Sequence, residues 1–215
     1  MTAIAVEVSD VSADRYAASP HLAATLQITE STSAVIHAIA LRCQLMIEPQ
    51  RRGYDSSETA SISELFGGRD RWTQTLRPFL WTYASTVTRG FTGSLMVTLP
   101  IACTYDLEVV GSKYLHALAD GEVPLLFLFS GTVFSRGESG FAVEQLSWEL
   151  EARHRMPVSV WQELMTASFP NSGYLRLDRG TVNELLEYKA AHGLTTWDEV
   201  VGSLLARASD PAVAP

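Results

Sequence analysis

The residue types that most often carry out chemistry stand far apart along this chain. No histidine has a second histidine or a cysteine at the spacing that metal-binding pairs use. The sequence contains no glycine-rich phosphate loop and no nucleophile elbow. It therefore predicts a non-catalytic protein without cofactor or metal, unless folding assembles a site from distant residues. The five histidines are at positions 21, 37, 116, 154 and 192.

Two acidic residues, Asp106 and Glu108, come closest to a catalytic pair. Two carboxylates perform acid–base chemistry only where their surroundings separate their pKa values. The alternation of this stretch places both side chains opposite Tyr105 and Leu107, on one face of a predicted strand. A solvent-facing strand surface explains that pattern without any chemistry.

Length and charge narrow the class of protein. The chain has 215 residues and a formal net charge of -8 at pH 7. It has no run rich in lysine or arginine, so we do not expect nucleic-acid binding, which usually needs a basic patch. No apolar run approaches the roughly 20 residues of a membrane helix, and residues 1–10 do not resemble a signal peptide. We therefore predict a cytoplasmic protein that is not inserted in a membrane, with Cys43 and Cys103 reduced.

Two stretches predict long strands of an antiparallel sheet. Residues 123–134, VPLLFLFSGTVF, are the most continuously apolar run and have apolar side chains on both faces. Such a strand must be covered on both sides, so we expect it at the centre of the sheet. Residues 35–47 alternate strictly between apolar and polar, which predicts a second strand with His37 on its apolar face.

Residues 104–118 begin with the same strand-like alternation, and Gly111 then interrupts it as a bulge would. Across the turn at residues 120–121, this arm is predicted to form a hairpin with residues 123–134. The arm carries Tyr114 and His116. Together with Trp81 they define one functional alternative, a small-ligand-binding β domain with a pocket near His116 and Trp81.

After residue 148 the apolar period changes to that of helices. Residues 149–155 are predicted to be a charged connector, and Pro157 suits the first turn of a helix. Thr196 and Glu199 have the spacing of a capping box before the last helix.

Strands that come first and helices that come last predict an α+β fold, with an antiparallel sheet and the C-terminal helices packed on one of its faces. We assign residues 1–208 to a single domain. Residues 209–215 are mostly small, and we expect them to form a disordered tail.

Aromatic and aliphatic side chains concentrate in the middle of the chain. They fit a second layer of core, or an exposed apolar groove that binds a peptide or a partner subunit. The residues that we predict to bind a partner in such a groove are Trp72, Leu76, Phe79, Trp81, Phe91 and Met46.

Two blocks of the sequence resemble the bacterial export chaperone SecB. The first, residues 20–48, runs from a Pro-His pair through ATLQIT to AVIHAIALRCQLMI. The second, residues 123–189, runs from FLFSGTVF through VSVWQELM to SFPNSGYLRLDRGTVNELLEYK. The resemblance implies a SecB-like antiparallel core with helices, homo-oligomers, and non-native polypeptide bound along apolar grooves. Residues 50–118 depart from that pattern as a large insertion.

The whole chain also resembles a family of hypothetical actinobacterial proteins through LRCQLMIEPQRR, LRPFLWTYASTV and DGEVPLLFLFSGTVF. That likeness implies an association with hydrogenase genes and an accessory role. The leading hypothesis is therefore a chaperone-like protein that holds a client polypeptide or an assembling enzyme subunit.

Overall fold

The computed structural model describes residues 2–107, 109–137, 140–173 and 175–209, and the chain divides into two compact units, Met1–Tyr174 and Leu175–Pro215. The described residues are mixed helix and antiparallel strand, which confirms the α+β class. The assignment of residues 1–208 to a single domain stays a prediction. The predicted disordered tail, except for Ser209, lies outside the described residues. The strands are β1 (Ile4–Ala13), β2 (His21–Glu30), β3 (Ile36–Ile47), β4 (Phe79–Val87), β5 (Ser94–Ala102), β6 (Glu122–Gly137), β7 (Gly140–Gln145) and β8 (Glu151–Pro157); the helices are α1 (Ser56–Phe66), α2 (Trp72–Thr75), α3 (Val110–His116), α4 (Val158–Ser168), α5 (Arg179–Ala191) and α6 (Trp197–Ala208).

The first unit contains two antiparallel sheets that share one core. One sheet has the strand order β1-β2-β5, and the other has β4-β3-β6-β7, with β8 also paired to β6. Buried side chains of both sheets belong to a single apolar cluster, and β4 lies beside β5 as β1 lies beside β8. This arrangement is a two-layer sandwich, in which each sheet covers the apolar face of the other. Helix α4 contacts β1, β8 and α3.

The pairing of β3 with β6 forms the middle of the five-stranded sheet. It runs in antiparallel register from Ile36 opposite Ser135 to Ile47 opposite Leu125. At its centre Gly131 has φ 151, and a Cβ there would come within 2.1 Å of the Ala40 carbonyl oxygen. Glycine therefore allows the two backbones to approach this closely. The predicted central position of residues 123–134 is confirmed.

The predicted hairpin between residues 104–118 and 123–134 is wrong. Residues 110–116 form α3, and the first half of β6 pairs with β8 instead. Buried Gly111, Tyr114, Leu115 and Leu118 have the i, i+3, i+4, i+7 spacing of a helix face, which outweighs the strand propensity of the preceding valines. A Cβ on Gly111 would lie 2.5 Å from the Trp81 ring, so glycine lets α3 approach β4 rather than making a bulge.

The predicted connector at residues 149–155 is also wrong, because most of it belongs to β8. Its charged residues alternate with less exposed ones: Arg153 and Arg155 are exposed, whereas His154 is half-buried and Met156 is fully buried. A strand that presents one face to solvent produces this pattern.

His37 does not lie on the apolar face of β3 as predicted. A register irregularity between Ile36 and Ala38 shifts the alternation by one residue at the start of the strand. Ile36 is therefore buried, and His37 is exposed and stacks on the Phe141 ring at 5.8 Å between centroids.

A buried ion pair ties the start of α1 to the loop before β6. The Nη2 atom of Arg52 donates to the Glu58 carboxylate at 2.8 Å and to the Asp120 carbonyl at 3.0 Å. The carboxylate of Glu58 also accepts the Ala119 N–H. Both charged side chains are almost fully buried, so removal of either one would leave the other charge without compensation.

The second unit contains the helices α5 and α6, which contact each other. The Tyr188 hydroxyl and the Ser203 hydroxyl are 2.8 Å apart, and Val200 is fully buried. The predicted capping box is confirmed, since the Thr196 hydroxyl accepts the Glu199 N–H and the Glu199 carboxylate accepts the Thr196 N–H.

Neighbouring positions of β6 test the register of the sheet. Phe127 is fully buried, and Leu128 points to the opposite face and is half-buried. Phe127→Asp should abolish soluble folded protein, because a buried unpaired charge costs several kcal/mol against a typical total of about 5–15 kcal/mol. Leu128→Asp is the matched control and should fold, as judged by circular dichroism. Equal damage from both substitutions would contradict the register.

Glu30 forms a second buried polar site, at the turn between β2 and β3. Its carboxylate accepts the N–H of Thr32 at 2.9 Å, the hydroxyl of Thr32, and the N–H of Ala34 at 2.8 Å. Burial opposes ionisation of Glu30, but these hydrogen bonds outweigh it and hold the pKa of the carboxyl below its ordinary value of 4.5.

Because the folded state lowers the pKa of Glu30, ionised Glu30 stabilises the fold above pH 4.5, and this contribution disappears as the pH falls through the folded-state pKa. Glu30→Gln should lower the free energy of unfolding by about 1–3 kcal/mol at neutral pH. In denaturant titrations, its difference from the wild type should shrink below pH 4.5. The exposed control Glu7→Gln should change stability by less than about 0.5 kcal/mol. A difference that does not vary with pH would contradict this account.

Candidate functional site

The five-stranded sheet has an outer face, made of the side chains that point away from the shared core. Residues directly opposite each other on antiparallel strands point to the same side, so the register defines five cross-strand rows. In order along β3, the rows are Leu80 with Met46, Leu126 and Arg153; Tyr83 with Gln44, Leu128 and Glu151; Ser85 with Arg42 and Ser130; Val87 with Ala40, Thr132 and Gln145; and Ala38 with Phe134 and Val143.

Large apolar side chains on this outer face are open to solvent. The exposed fractions are 64% for Tyr83 and 70% for Val87 on β4, and 64% for Phe141 and 56% for Val143 on β7. Half-buried Met46, Leu126, Leu128 and Phe134 lie between the two strands. Isolated exposed apolar residues are ordinary, but a contiguous apolar patch on a folded protein often marks a binding surface.

A bulge in β4 determines which aromatic residues reach the outer face. Leu45 pairs with Thr82 and Met46 pairs with Leu80, so Trp81 is the extra residue. In a regular strand Trp81 and Tyr83, which are two positions apart, would lie on one face. The bulge turns Trp81 towards Trp161 of α4, with the ring centroids 6.0 Å apart, and leaves Tyr83 facing outwards.

The six predicted partner-binding residues lie in different surroundings. Met46 belongs to the outer face, whereas Leu76 is buried and Phe79 packs edge-on against Tyr114. Trp72 donates its indole N–H to the Gly67 carbonyl oxygen at 3.0 Å. The other five contribute to the apolar core or pack against it: Trp72, Leu76, Phe79, Trp81 and Phe91.

Residues that the sequence reasoning did not select form most of the outer face. Tyr83 and Val87 lie beyond the bulge, whose position depends on the pairing partner. Phe141 and Val143 belong to β7, where the alternation of apolar residues indicated a strand but not which of its faces is exposed. Their selection required the register with β6.

One cation lies in the middle of the outer face. Arg42 is flanked by Ser85 and Ser130 in its own row and by Tyr83 in the next, and these residues line an open depression of about 430 Å³. Among the residues that the structure describes, none forms an ion pair or a hydrogen bond with the Arg42 guanidinium. By contrast, Arg153 on the same face contacts Glu48 at 3.3 Å and also contacts Glu151.

A second candidate site is an open pocket of about 570 Å³ beside α3 and α4. Tyr105 stacks on Phe169 with centroids 5.6 Å apart, and its hydroxyl lies 3.2 Å from Nδ1 of His116. Trp161 adds an apolar side chain to the wall of the pocket, and Gln162 adds a polar one. Aromatic walls with a few polar groups are typical of sites for small planar molecules.

The other residues predicted for this pocket do not line it. Trp81 lies behind Trp161, and Tyr114 is fully buried with its hydroxyl 2.8 Å from that of Tyr54. Burial raises the pKa of Tyr54 to about 12 and raises the pKa of Tyr114 further, so both phenols stay protonated at neutral pH. Asp106 lies outside any strand, and Glu108 lies outside the described residues.

Within the described ranges, no three histidine, cysteine or acidic side chains come together as metal ligands would. Cys43 and Cys103 are free thiols, and burial raises the pKa of each to about 12. None of the described helices combines the length and the apolar character needed to cross a membrane.

A family model matches residues 1–213 of the chain. The chain belongs to DUF6084, a family of unknown function. No curated protein matches this DUF6084 member. Two solved structures show a distant likeness to it, and at such low TM-scores neither bears on its function.

The first is a beta-glucosidase from Kluyveromyces marxianus, with 9% identity and a TM-score of 0.26. The likeness covers 72% of the DUF6084 chain, which spans 15% of the glucosidase chain. The second is AggA, the major subunit of aggregative adherence fimbriae type I from Escherichia coli, with 10% identity, a TM-score of 0.25, and coverage of 73% of this chain and 94% of AggA.

Proposed function

We propose that this protein is a non-catalytic, chaperone-like or accessory protein that binds a polypeptide on the outer face of its five-stranded sheet. The observation that carries the proposal is the group of large apolar side chains exposed on that face, Tyr83 and Val87 on β4 and Phe141 and Val143 on β7. Binding there would remove these side chains from water. Each Å² of apolar area buried in this way stabilises the complex by about 25 cal/mol.

The shape and charge of the outer face also support polypeptide binding. The sheet presents a broad surface, which suits a chain segment better than a small molecule. The net charge of -8 would keep a protein with such an apolar surface soluble. The resemblance to SecB supports a non-native polypeptide as the client. The resemblance to hydrogenase-associated proteins supports an assembling hydrogenase subunit as a specific client.

Substitutions on the outer face test this proposal. At equimolar ratio the wild type should suppress the light scattering of a thermally unfolding model enzyme, and Tyr83→Glu with Val143→Glu should remove most of that effect, because each replaces an exposed apolar side chain with a charged one. Met96→Glu is the matched control, since Met96 is 59% exposed but lies on β5 of the other sheet.

Circular dichroism should show that all these variants are folded. The proposal fails if the wild type leaves the scattering unchanged, or if the double variant suppresses it as well as Met96→Glu does.

The pocket beside His116 supports a second candidate function, the binding of a small planar molecule. Its walls combine the stacked rings of Tyr105 and Phe169 with the His116 imidazole. The sequence predicted a pocket near His116 and Trp81. In the structure, Trp161 rather than Trp81 lines the pocket together with His116.

Ligand-observed NMR with a panel of neutral indole-like and benzamide-like compounds tests this candidate. A compound bound in the pocket should lose about tenfold in affinity in His116→Ala, because a hydrogen bond and a ring contact disappear. His21→Ala, on β2, is the control and should bind like the wild type. The absence of binding, or equal binding to all three proteins, would exclude this function.

A further inference from the structure

We infer that the polypeptide bound on the outer face carries an acidic side chain between apolar ones, and that Arg42 selects it. This inference rests on the proposed function and names the chemistry of the partner. Arg42 occupies the middle of the five rows, and the rows on both sides along β3 include the exposed apolar side chains of Tyr83 and Val87. Arg42 is exposed, so a segment that binds across these rows would also cover its side chain.

Arg42 is available to a partner. Among the described residues, no carboxylate or carbonyl group contacts its guanidinium, unlike Arg153 on the same face. A bound segment that covered Arg42 without supplying an acceptor would take this cation out of water uncompensated. A carboxylate instead accepts two parallel N–H groups from a guanidinium, the strongest hydrogen-bonding arrangement that an arginine makes.

The spacing of the rows predicts the pattern of the bound segment. In an extended chain every second side chain faces the same way, at about 6.6–6.8 Å, which is also the spacing of the rows along β3. If the acidic side chain contacts Arg42, the side chains two residues away contact the Tyr83 and Val87 rows. Those four residues away contact the rows of Met46 and Phe134. The partner is thus an extended segment with alternating apolar side chains around a central aspartate or glutamate.

Charge also argues against two other occupants. Two copies of the outer face packed about a two-fold axis through the middle of that face would bring Arg42 close to Arg42 of the second copy, and the like charges would repel. A basic segment would meet the same repulsion. The overall charge of -8 opposes an acidic partner only weakly, since charges beyond about 8 Å are largely screened at physiological ionic strength.

Blocked nonapeptides with alternating leucine or valine and serine, labelled with a net-neutral dye, test the inference by fluorescence anisotropy. The central facing position is aspartate, asparagine or lysine. The wild type should bind the aspartate peptide about three- to tenfold more tightly than the asparagine peptide, and the lysine peptide least well. The preference for aspartate should weaken at about 1 M salt.

Arg42→Gln should bind the asparagine peptide within about twofold of the wild type and should lose the preference for aspartate. The control is Arg15→Gln, which removes the same charge from an exposed position between β1 and β2 and should keep the preference. If the wild type binds the aspartate and asparagine peptides equally, the role of Arg42 is overturned and the proposed function stands. If it binds none of the three, the proposed function fails and this inference fails with it.

Discussion

The antiparallel pairing of β3 with β6 is the constraint on which the rest of this structure depends. Because side chains alternate along a strand, one register assigns Leu45 and Phe127 to the core and their neighbours Gln44 and Leu128 to the outer face. A slip by one residue would exchange the two faces completely. Stability and surface chemistry are therefore determined together, and the apolar outer face exists alongside a fully buried inner one.

The middle of the chain belongs to this sandwich and is not an appendage to it. Residues 50–118 contribute β4 to one sheet and β5 to the other, and α1 and α3 pack beside them. The ion pair of Arg52 with Glu58 links the beginning of this region to the loop that enters β6.

The sequence predicted a strand or helix correctly where the residues of that element alone determine its conformation. The strict alternation of β3, the apolar run of β6 and the capping box at Thr196 all predicted the observed elements. Predictions failed where the conformation depends on a distant partner. Helix α3 forms because its apolar face packs near Trp81, which overrides the strand propensity of Val109 and Val110.

The same reason limited the prediction of the site. The bulge at Trp81 is produced by the pairing of β4 with β3, so the sequence of β4 alone placed Trp81 and Tyr83 on the same side. Five of the six selected residues pack on the core because large aromatic side chains serve equally as core and as surface anchors. The sequence alone does not distinguish Arg42 from the other arginines, because its cross-strand neighbours are known only from the structure.

The long separation of β3 and β6 along the chain has a consequence for biosynthesis. β3 ends at Ile47 and β6 begins at Glu122, so a ribosome that adds about 5–20 residues per second completes β6 on the order of ten seconds after β3. During that interval β1, β2, β4 and β5 are completed, but the edge of β3 that pairs with β6 has no partner, so its backbone N–H and C=O groups stay open on the nascent chain. That open edge is a place where β3 can pair with the wrong strand while the protein is being made.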